Sequence, residues 1–331
     1  MIQFRLHHPA TDANRAGHAY ASRMAQALTA IGHPARVAPA PGVTCESLVV
    51  IDGQLMTTLP IADCAGAVVL LHRPPVCLIG DDPLAPDRAW QDRAWQDRLS
   101  VVRHVICTGQ ATAGWVRATF GVAATVVPPG ADPLPATVPP PGSVHILSSG
   151  VRTAQEGLDL IAALSRLTDL DWTLTIAGPI AGATTADTIA GPANRDVAWE
   201  GALAAGEPAL IDRVTIVRDP DRAALNAYYA RAGLFVLLTR AEEYSVEVAE
   251  AFSRGVPVVT TAAATADLPL GALQVDATDG ATVSKVLRRT LHDAELRHSL
   301  ADAAARAGAV LPDWPTQAEQ FAVALAVKRG A

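Results

Sequence analysis

Residues 233–261, GLFVLLTRAEEYSVEVAEAFSRGVPVVTT, read as a buried strand, a polar turn, an amphipathic helix and a second buried strand. The run Leu234 to Leu238 is apolar throughout, which suits a parallel strand covered on both faces better than one facing water on one side. In an open α/β sheet, ligands bind where the carboxyl end of such a strand meets the next helix. Thr239, Arg240, Ala241, Glu242, Glu243, Tyr244 and Ser245 occupy that position. Ser245 is a suitable N-cap, and a helix starting there aims unpaired N–H groups and the positive end of its dipole at the crevice, an arrangement that attracts phosphate. Val246, Ala249 and Phe252 or Ser253 are its expected inner stripe, Gly255 its stop, and Val256 to Val259 the start of the next strand. Glu250 follows Glu242 by eight residues, so one carboxylate falls on the turn and the other about one turn into the helix. Two acceptors at different depths can hold two hydroxyl-bearing parts of one ligand.

Composition bounds the rest. A chain of 331 residues buries a substantial core and is expected to divide into two domains. Half of it is apolar, yet no apolar stretch is long enough to span a bilayer, and the opening MIQFRLHH is too short and polar for a signal peptide. The expectation is a cytoplasmic protein without membrane insertion. A formal net charge of -7 gives no electrostatic footprint for nucleic acid. Cys45, Cys64, Cys77 and Cys107 are widely spaced and form no C-x-x-C, so reduced core thiols are expected rather than zinc or disulfides. Lys285 and Lys328 are the only lysines. Any cationic clamp on a diphosphate must therefore be arginine or backbone.

The block from Glu242 through Glu250 to Ala251, Gly255, Val256, Pro257 and Val258 resembles the Glu-x7-Glu signature of retaining glycosyltransferases of family 4. That resemblance implies the α/β GT-B fold, in which two Rossmann-like parallel-sheet domains face each other across a cleft and a C-terminal helix crosses back to the first domain. It also implies that Glu242 contacts hydroxyls of a donor sugar and that Glu250 binds the nucleotide ribose, with Glu243, Tyr244, Ser245 and Val246 lining the donor site. The co-substrate is then a nucleotide-diphosphate-sugar, and no metal or other cofactor is expected.

The remaining chain is read against the same family. Ile2 to Leu6 is a first strand, followed by a loop with Asp12, Asn14 and Gly17 and a helix from about His18 to Ile31, with Ala21, Met24, Ala25 and Leu28 on one face. Gly17 stands where the family has paired glycines near the donor phosphates. Strands Ser47 to Ile51 and Ala67 to Leu71 follow. The family has a histidine after the second of these that contacts the donor sugar, which makes His72 a candidate site residue. Residues 89–98 repeat AWQDR in tandem, which sets Trp90 and Trp95 about 140° apart on a helix. One is expected to pack inward and the other to line a surface or groove. Val101 to Cys107, a helix from Ala111, and Ala124 to Val127 lead to Pro128, Pro129, Gly130, Ala131 and Asp132, similar to the Pro-x-Gly-x-Asp element that ends the first domain. Pro133 to Gly142 holds five prolines and reads as a stiff linker. The expected domains are 1–137 on the acceptor side, 138–312 for the donor, and a closing helix over 313–331 packing on the first domain.

The donor domain opens with a strand over Val144 to Leu147, then Gly150, Arg152, Glu156 and a helix from about Leu158 to Leu167. The family places an arginine and a lysine here as a diphosphate clamp. This chain has Glu156 at the lysine position and Arg152 displaced by about one residue, so Arg152, with Arg240 as a possible second cation, is expected to carry the phosphate charge. Leu174 to Ala177 with Gly178 resembles the next strand and its glycine. Asp219 and Asp221 form an Asp-x-Asp, but capping of the helix from Arg222 to Ala232 explains them better than a metal.

The function implied is transfer of a sugar, with retention, from a nucleotide-diphosphate-sugar to a hydroxyl or amine of a small soluble acceptor. His72, Glu242 and Arg152 are the expected catalytic residues. Gly17, Gly150, Arg152, Gly178, Arg240, Glu243, Tyr244, Ser245, Val246 and Glu250 are the expected donor contacts. Two alternatives stay open: a GT-B homologue without catalysis that serves as a binding or regulatory subunit, motivated by Glu156 at the family's lysine position and Ser245 at its usual glycine position, and a GT-B sugar-nucleotide epimerase or hydrolase. A dehydrogenase is disfavoured because no G-x-G-x-x-G follows a strand.

Overall fold

The computed structural model describes residues 1–6, 15–39, 48–56, 58–72, 88–132, 142–151, 154–177, 210, 212–217, 220–240 and 244–327. The chain divides into two compact units, Met1–Gly130 with Glu242–Tyr244 and Pro312–Ala331, and Ala131–Ala241 with Ser245–Leu311. Each is built on a six-stranded, wholly parallel sheet.

In the first unit the strands are β1 (Ile2–Leu6), β2 (Ala35–Pro39), β3 (Leu48–Asp52), β4 (Val68–Leu71), β5 (His104–Cys107) and β6 (Thr125–Val126), in the order β2-β1-β3-β4-β5-β6. VVLL of β4 and HVIC of β5 are buried at every position, as strands covered on both faces must be. One face packs on α1 (Arg15–Ala30), whose Ala21, Met24, Ala25 and Leu28 are all buried. The last helix, α10 (Trp314–Ala326), covers the same face, with Phe321 5.6 Å from Phe4 between ring centroids. The other face packs on α2 (Ile61–Cys64), α3 (Arg88–Val101) and α4 (Gln110–Phe120). Trp95 of the tandem repeat is buried there against Phe120; the Trp90 side chain lies outside the described residues. Cys64 and Cys107 are free and buried, and burial pushes the Cys107 thiol up to about 12.

The second unit has strands β7 (Val144–Ser149), β8 (Trp172–Ala177), β9 (Val214–Val217), β10 (Leu234–Leu237), β11 (Val258–Thr261) and β12 (Leu273–Val275), ordered β12-β11-β10-β7-β8-β9. Its described helices are α5 (Ala154–Leu164), α6 (Arg222–Arg231), α7 (Val246–Ser253), α8 (Gly280–His292) and α9 (Ala294–Ala309). Each helix from α6 to α10 is capped by the side chain of the residue before it: Asp221, Ser245, Asp279, Asp293 and Asp313. The C-terminus of α7 closes as a Schellman motif. Gly255 takes φ 65°, its N–H bonds Phe252 O at 3.0 Å, and Val256 N–H bonds Ala251 O at 3.0 Å.

Several boundaries differ from the sequence reading. Helix α1 begins at Arg15, so Gly17 lies in its first turn rather than in a loop. Helix α5 begins at Ala154 and takes Glu156 into its first turn. In α7 the buried residues are Val248, Ala249, Ala251 and Phe252, whereas Val246, the first residue after the cap, is 38% exposed rather than part of the inner stripe. The Pro133 to Gly142 linker, apart from Gly142, lies outside the described residues. Among the described residues no helix is long and apolar enough to cross a membrane, and no three His, Cys, Asp or Glu come together as a metal site.

Candidate functional site

In the second unit, Gly150 follows the carboxyl end of β7, and Arg240, Ser245 and Glu250 follow the carboxyl end of β10. Strand β7 ends at Ser149, and Gly150 follows with φ 79°, a conformation that excludes most side chains. Space excludes them too, since a Cβ at Gly150 would lie 2.6 Å from Cδ and 2.8 Å from Oε1 of Glu247. Ser245 caps α7 as expected, its Oγ accepting the Val248 N–H at 3.3 Å and approaching Glu247 Oε2 at 3.3 Å. Behind this end of the helix, Tyr229 is fully buried. Its hydroxyl meets Ser149 Oγ at 3.1 Å and donates to Glu247 O at 2.9 Å. Burial holds that phenol far above its ordinary pKa, so it stays a neutral donor.

Glu250, one turn along α7, forms an ion pair with Arg222 at the start of α6. Burial raises the Glu250 pKa; the Arg222 guanidinium opposes that shift, and the Glu247 carboxylate adds to it. Asp221 sets the position of Arg222 by accepting the Ala224 N–H at 2.7 Å, the capping role read from the sequence. Asp219 lies outside the described residues. Arg254, at the far end of α7, is buried, donates to Asn226 Oδ1 at 2.6 Å and stacks over Tyr229. Glu250 is thus a half-buried carboxylate held by the Arg222 guanidinium, with Arg254 also near it.

Arg240, the expected second phosphate cation, lies 2.7 Å from Asp159 Oδ2 in α5, and Gln155 donates to the other oxygen of that carboxylate at 2.7 Å. Glu156 is buried, in the first turn of α5. Tyr244 is buried. Glu242, Glu243, Arg152 and Gly178 lie outside the described residues.

In the first unit, His72 follows β4 directly and Asp52 ends β3. Asp52 Oδ2 is 3.8 Å from His72 Nε2, and α1 reaches the pair at Gly17. A Cβ on Gly17 would lie 2.7 Å from Asp52 Oδ2 and 3.2 Å from the His72 ring. Gly17 is therefore a close-approach glycine. Sequence reasoning missed Asp52, Arg222 and Glu247. For Asp52 a signal existed, a lone acid at the carboxyl end of the apolar run LVVID; nothing in the sequence marks the pairing of Arg222 with Glu250.

Residues 145–293 match the family model of glycosyl transferases group 1. No curated protein matches the chain. Among solved structures, sucrose-phosphate synthase (tll1590) from Thermosynechococcus elongatus is similar at TM-score 0.74 and 17% identity over 98% of both chains. Anabaena Alr3699/HepE in complex with UDP and glucose is similar at TM-score 0.74 and 15% identity over 98% of both chains. WaaG, a glycosyltransferase involved in lipopolysaccharide biosynthesis, is similar at TM-score 0.67 and 14% identity over the whole of both chains. At these identities the structures establish the fold, which is GT-B. The stretch 145–293, which carries Gly150, Arg222, Ser245 and Glu250, is matched as a glycosyl transferases group 1 domain, and match and fold together support a glycosyltransferase.

Proposed function

We propose that the chain is a retaining glycosyltransferase of family 4 that moves a sugar from a nucleotide-diphosphate-sugar to a hydroxyl or amine of a small soluble acceptor. The observation that carries this reading is the group 1 match over 145–293, with the Ser245-capped helix and the Arg222-held Glu250 carboxylate inside it. Structures similar to this one hold UDP with glucose, or UDP-glucose, which supports a donor of that class.

The acceptor oxygen attacks the anomeric carbon on the face from which the diphosphate leaves. The bond from that carbon to the phosphate oxygen breaks, and the acceptor proton passes to a phosphate oxygen of the leaving group. No protein nucleophile is required, so the protein contributes position and charge. The start of α7 and Arg152 offset the charge growing on the leaving phosphate, Glu242 and His72 orient the sugar, and Glu250 holds the ribose. Gly150 and Gly178 let backbone approach the nucleotide, with Arg240, Glu243, Tyr244 and Val246 around it.

The test is proton NMR of the sugar first released or transferred from an α-linked nucleotide sugar. An α product supports retention, and a β product refutes it. Glu242→Ala should lower turnover strongly, whereas Glu250→Ala should mainly weaken nucleotide binding. The second reading, a binding subunit without catalysis, draws on Glu156 at the place of the family lysine. Failure to consume any nucleotide sugar while still binding nucleotide would favour it.

A further inference from the structure

Arg5 lies in β1, is 1% exposed, and has no hydrogen-bond partner at Nε or Nη2. Among the described residues no carboxylate is paired with it. A buried carboxyl or lysine can shed its charge, whereas an arginine keeps it, and an enclosed charge without a counter-ion is costly. The two bare nitrogens form one edge of the guanidinium, the edge that meets both oxygens of a carboxylate or phosphate side-on.

Alternation along β1 sends Phe4 and Leu6 to the α1 face and Arg5 to the other, where its register partner Ile51 packs in the core under α2, α3 and α4. Gln3 shares that face, is buried, and also has no partner at Oε1. Being a neutral amide, it cannot offset the charge of Arg5. The sheet order β2-β1-β3-β4-β5-β6 means that the chain winds outward from β1 to β2 and then returns past β1 to β3. Winding therefore reverses between β1 and β3, and ligands of open α/β sheets enter at such a switch point, outside the carboxyl ends of the strands. Arg5 is one residue, about 3.3 Å of rise, from the end of β1, and an arginine side chain is longer than that.

We infer that Arg5 is the receptor for an oxyanion, a carboxylate or a phosphate, on a ligand that enters the first unit between the ends of β1 and β3. On the sugar-transfer reading, on which this last step rests, the oxyanion belongs to the acceptor, and the acceptor is an anionic small molecule rather than a neutral one.

The experiment is nitrogen-15 NMR of the arginine Nε–H groups in the full chain, with Arg5 assigned by Arg5→Lys, during titration with inorganic phosphate and with acetate at constant ionic strength. One of the two anions should shift the Arg5 Nε–H saturably and slow its exchange with water. No saturable change with either overturns the site. Calorimetry with glucose, glucuronate and glucose 6-phosphate then separates the carboxylate source from the phosphate source. The anionic sugar of the favoured class should bind about tenfold tighter than glucose. That preference should vanish in Arg5→Met and shrink in Arg5→Lys, which keeps the charge without the side-on edge. Equal affinity for the three sugars, or an Arg5 Nε–H that responds to UDP and to none of them, overturns the acceptor assignment. An Arg5 shift with phosphate or acetate in a chain that consumes no nucleotide sugar would sustain the anion site and refute sugar transfer. Transfer to neutral acceptors alone, with Arg5 unmoved by either anion, would do the reverse.

Discussion

Gly308 of α9 packs against the C-terminal end of α7, the helix whose other end carries Ser245. A Cβ there would lie 2.3 Å from Phe252 O, 2.5 Å from Phe252 C and 2.7 Å from Ser253 N. All three are backbone atoms and cannot rotate away, so the helices must part by about 1 Å to restore ordinary contact. Two effects then compete in Gly308→Ala. Alanine in a helix interior gains roughly 0.5–1 kcal/mol over glycine, whereas overpacking a tight contact costs roughly 1–3 kcal/mol. Overpacking wins, and a net loss of about 1–2 kcal/mol is expected. The internal control is Gly114→Ala in α4, where nothing lies within 4 Å of the new Cβ, so the same exchange should stabilise by about 0.5–1 kcal/mol. Urea unfolding followed by circular dichroism reads both, each in the transition of its own unit if the two separate. A Gly308→Ala chain as stable as the wild type would refute the claim that backbone approach sets the place of α7.

Three further outcomes follow from the same structure. Ser245→Ala leaves the buried Val248 N–H without its acceptor and should cost about 1 kcal/mol, with weaker nucleotide binding by calorimetry. His145 is held at a pKa of about 4, chiefly by burial and secondarily by Arg231. Its folded value is depressed below the unfolded one, so stability is full above about pH 6.5 and is lost as pH falls toward 4, by up to about 2 kcal/mol at pH 5; His145→Gln should flatten the melting temperature between pH 7 and 5. Glu250 has a raised folded pKa, so its contribution is present at low pH and lost as pH rises through that value. Arg222→Ala removes the compensating cation and should steepen the loss between pH 5 and 7.5, and adding Glu250→Gln should remove that added loss.

What the sequence discloses follows from how local each signal is. Central strands such as LFVL and VVLL are continuous apolar runs and read directly. The missed strands, β2 with ARVAP and β12 with LQV, are short edge strands that need no such run, and Val37 of β2 is 37% exposed. Capping at Ser245 and Asp221 is a one-turn event and was legible; so was Gly255. Glu250 was legible as a motif, but its partner Arg222 lies 28 residues away and meets it only through packing of α6 beside α7. Asp52 and His72 meet through strand register, and Gly17 is small because α1 closes on both. Periodicity carries none of those three-dimensional coincidences.

The central claim is a nucleotide-diphosphate-sugar site in the second unit, and thermal unfolding with UDP, GDP, ADP and TDP tests it most directly, on wild type and Glu250→Ala. A ligand at about a hundred times its dissociation constant adds about 2.7 kcal/mol, which should raise the midpoint of a unit this size by about 5–10 °C. A rise with one of the four, diminished in Glu250→Ala, is the predicted result. No rise with any of them in the wild type would contradict the account.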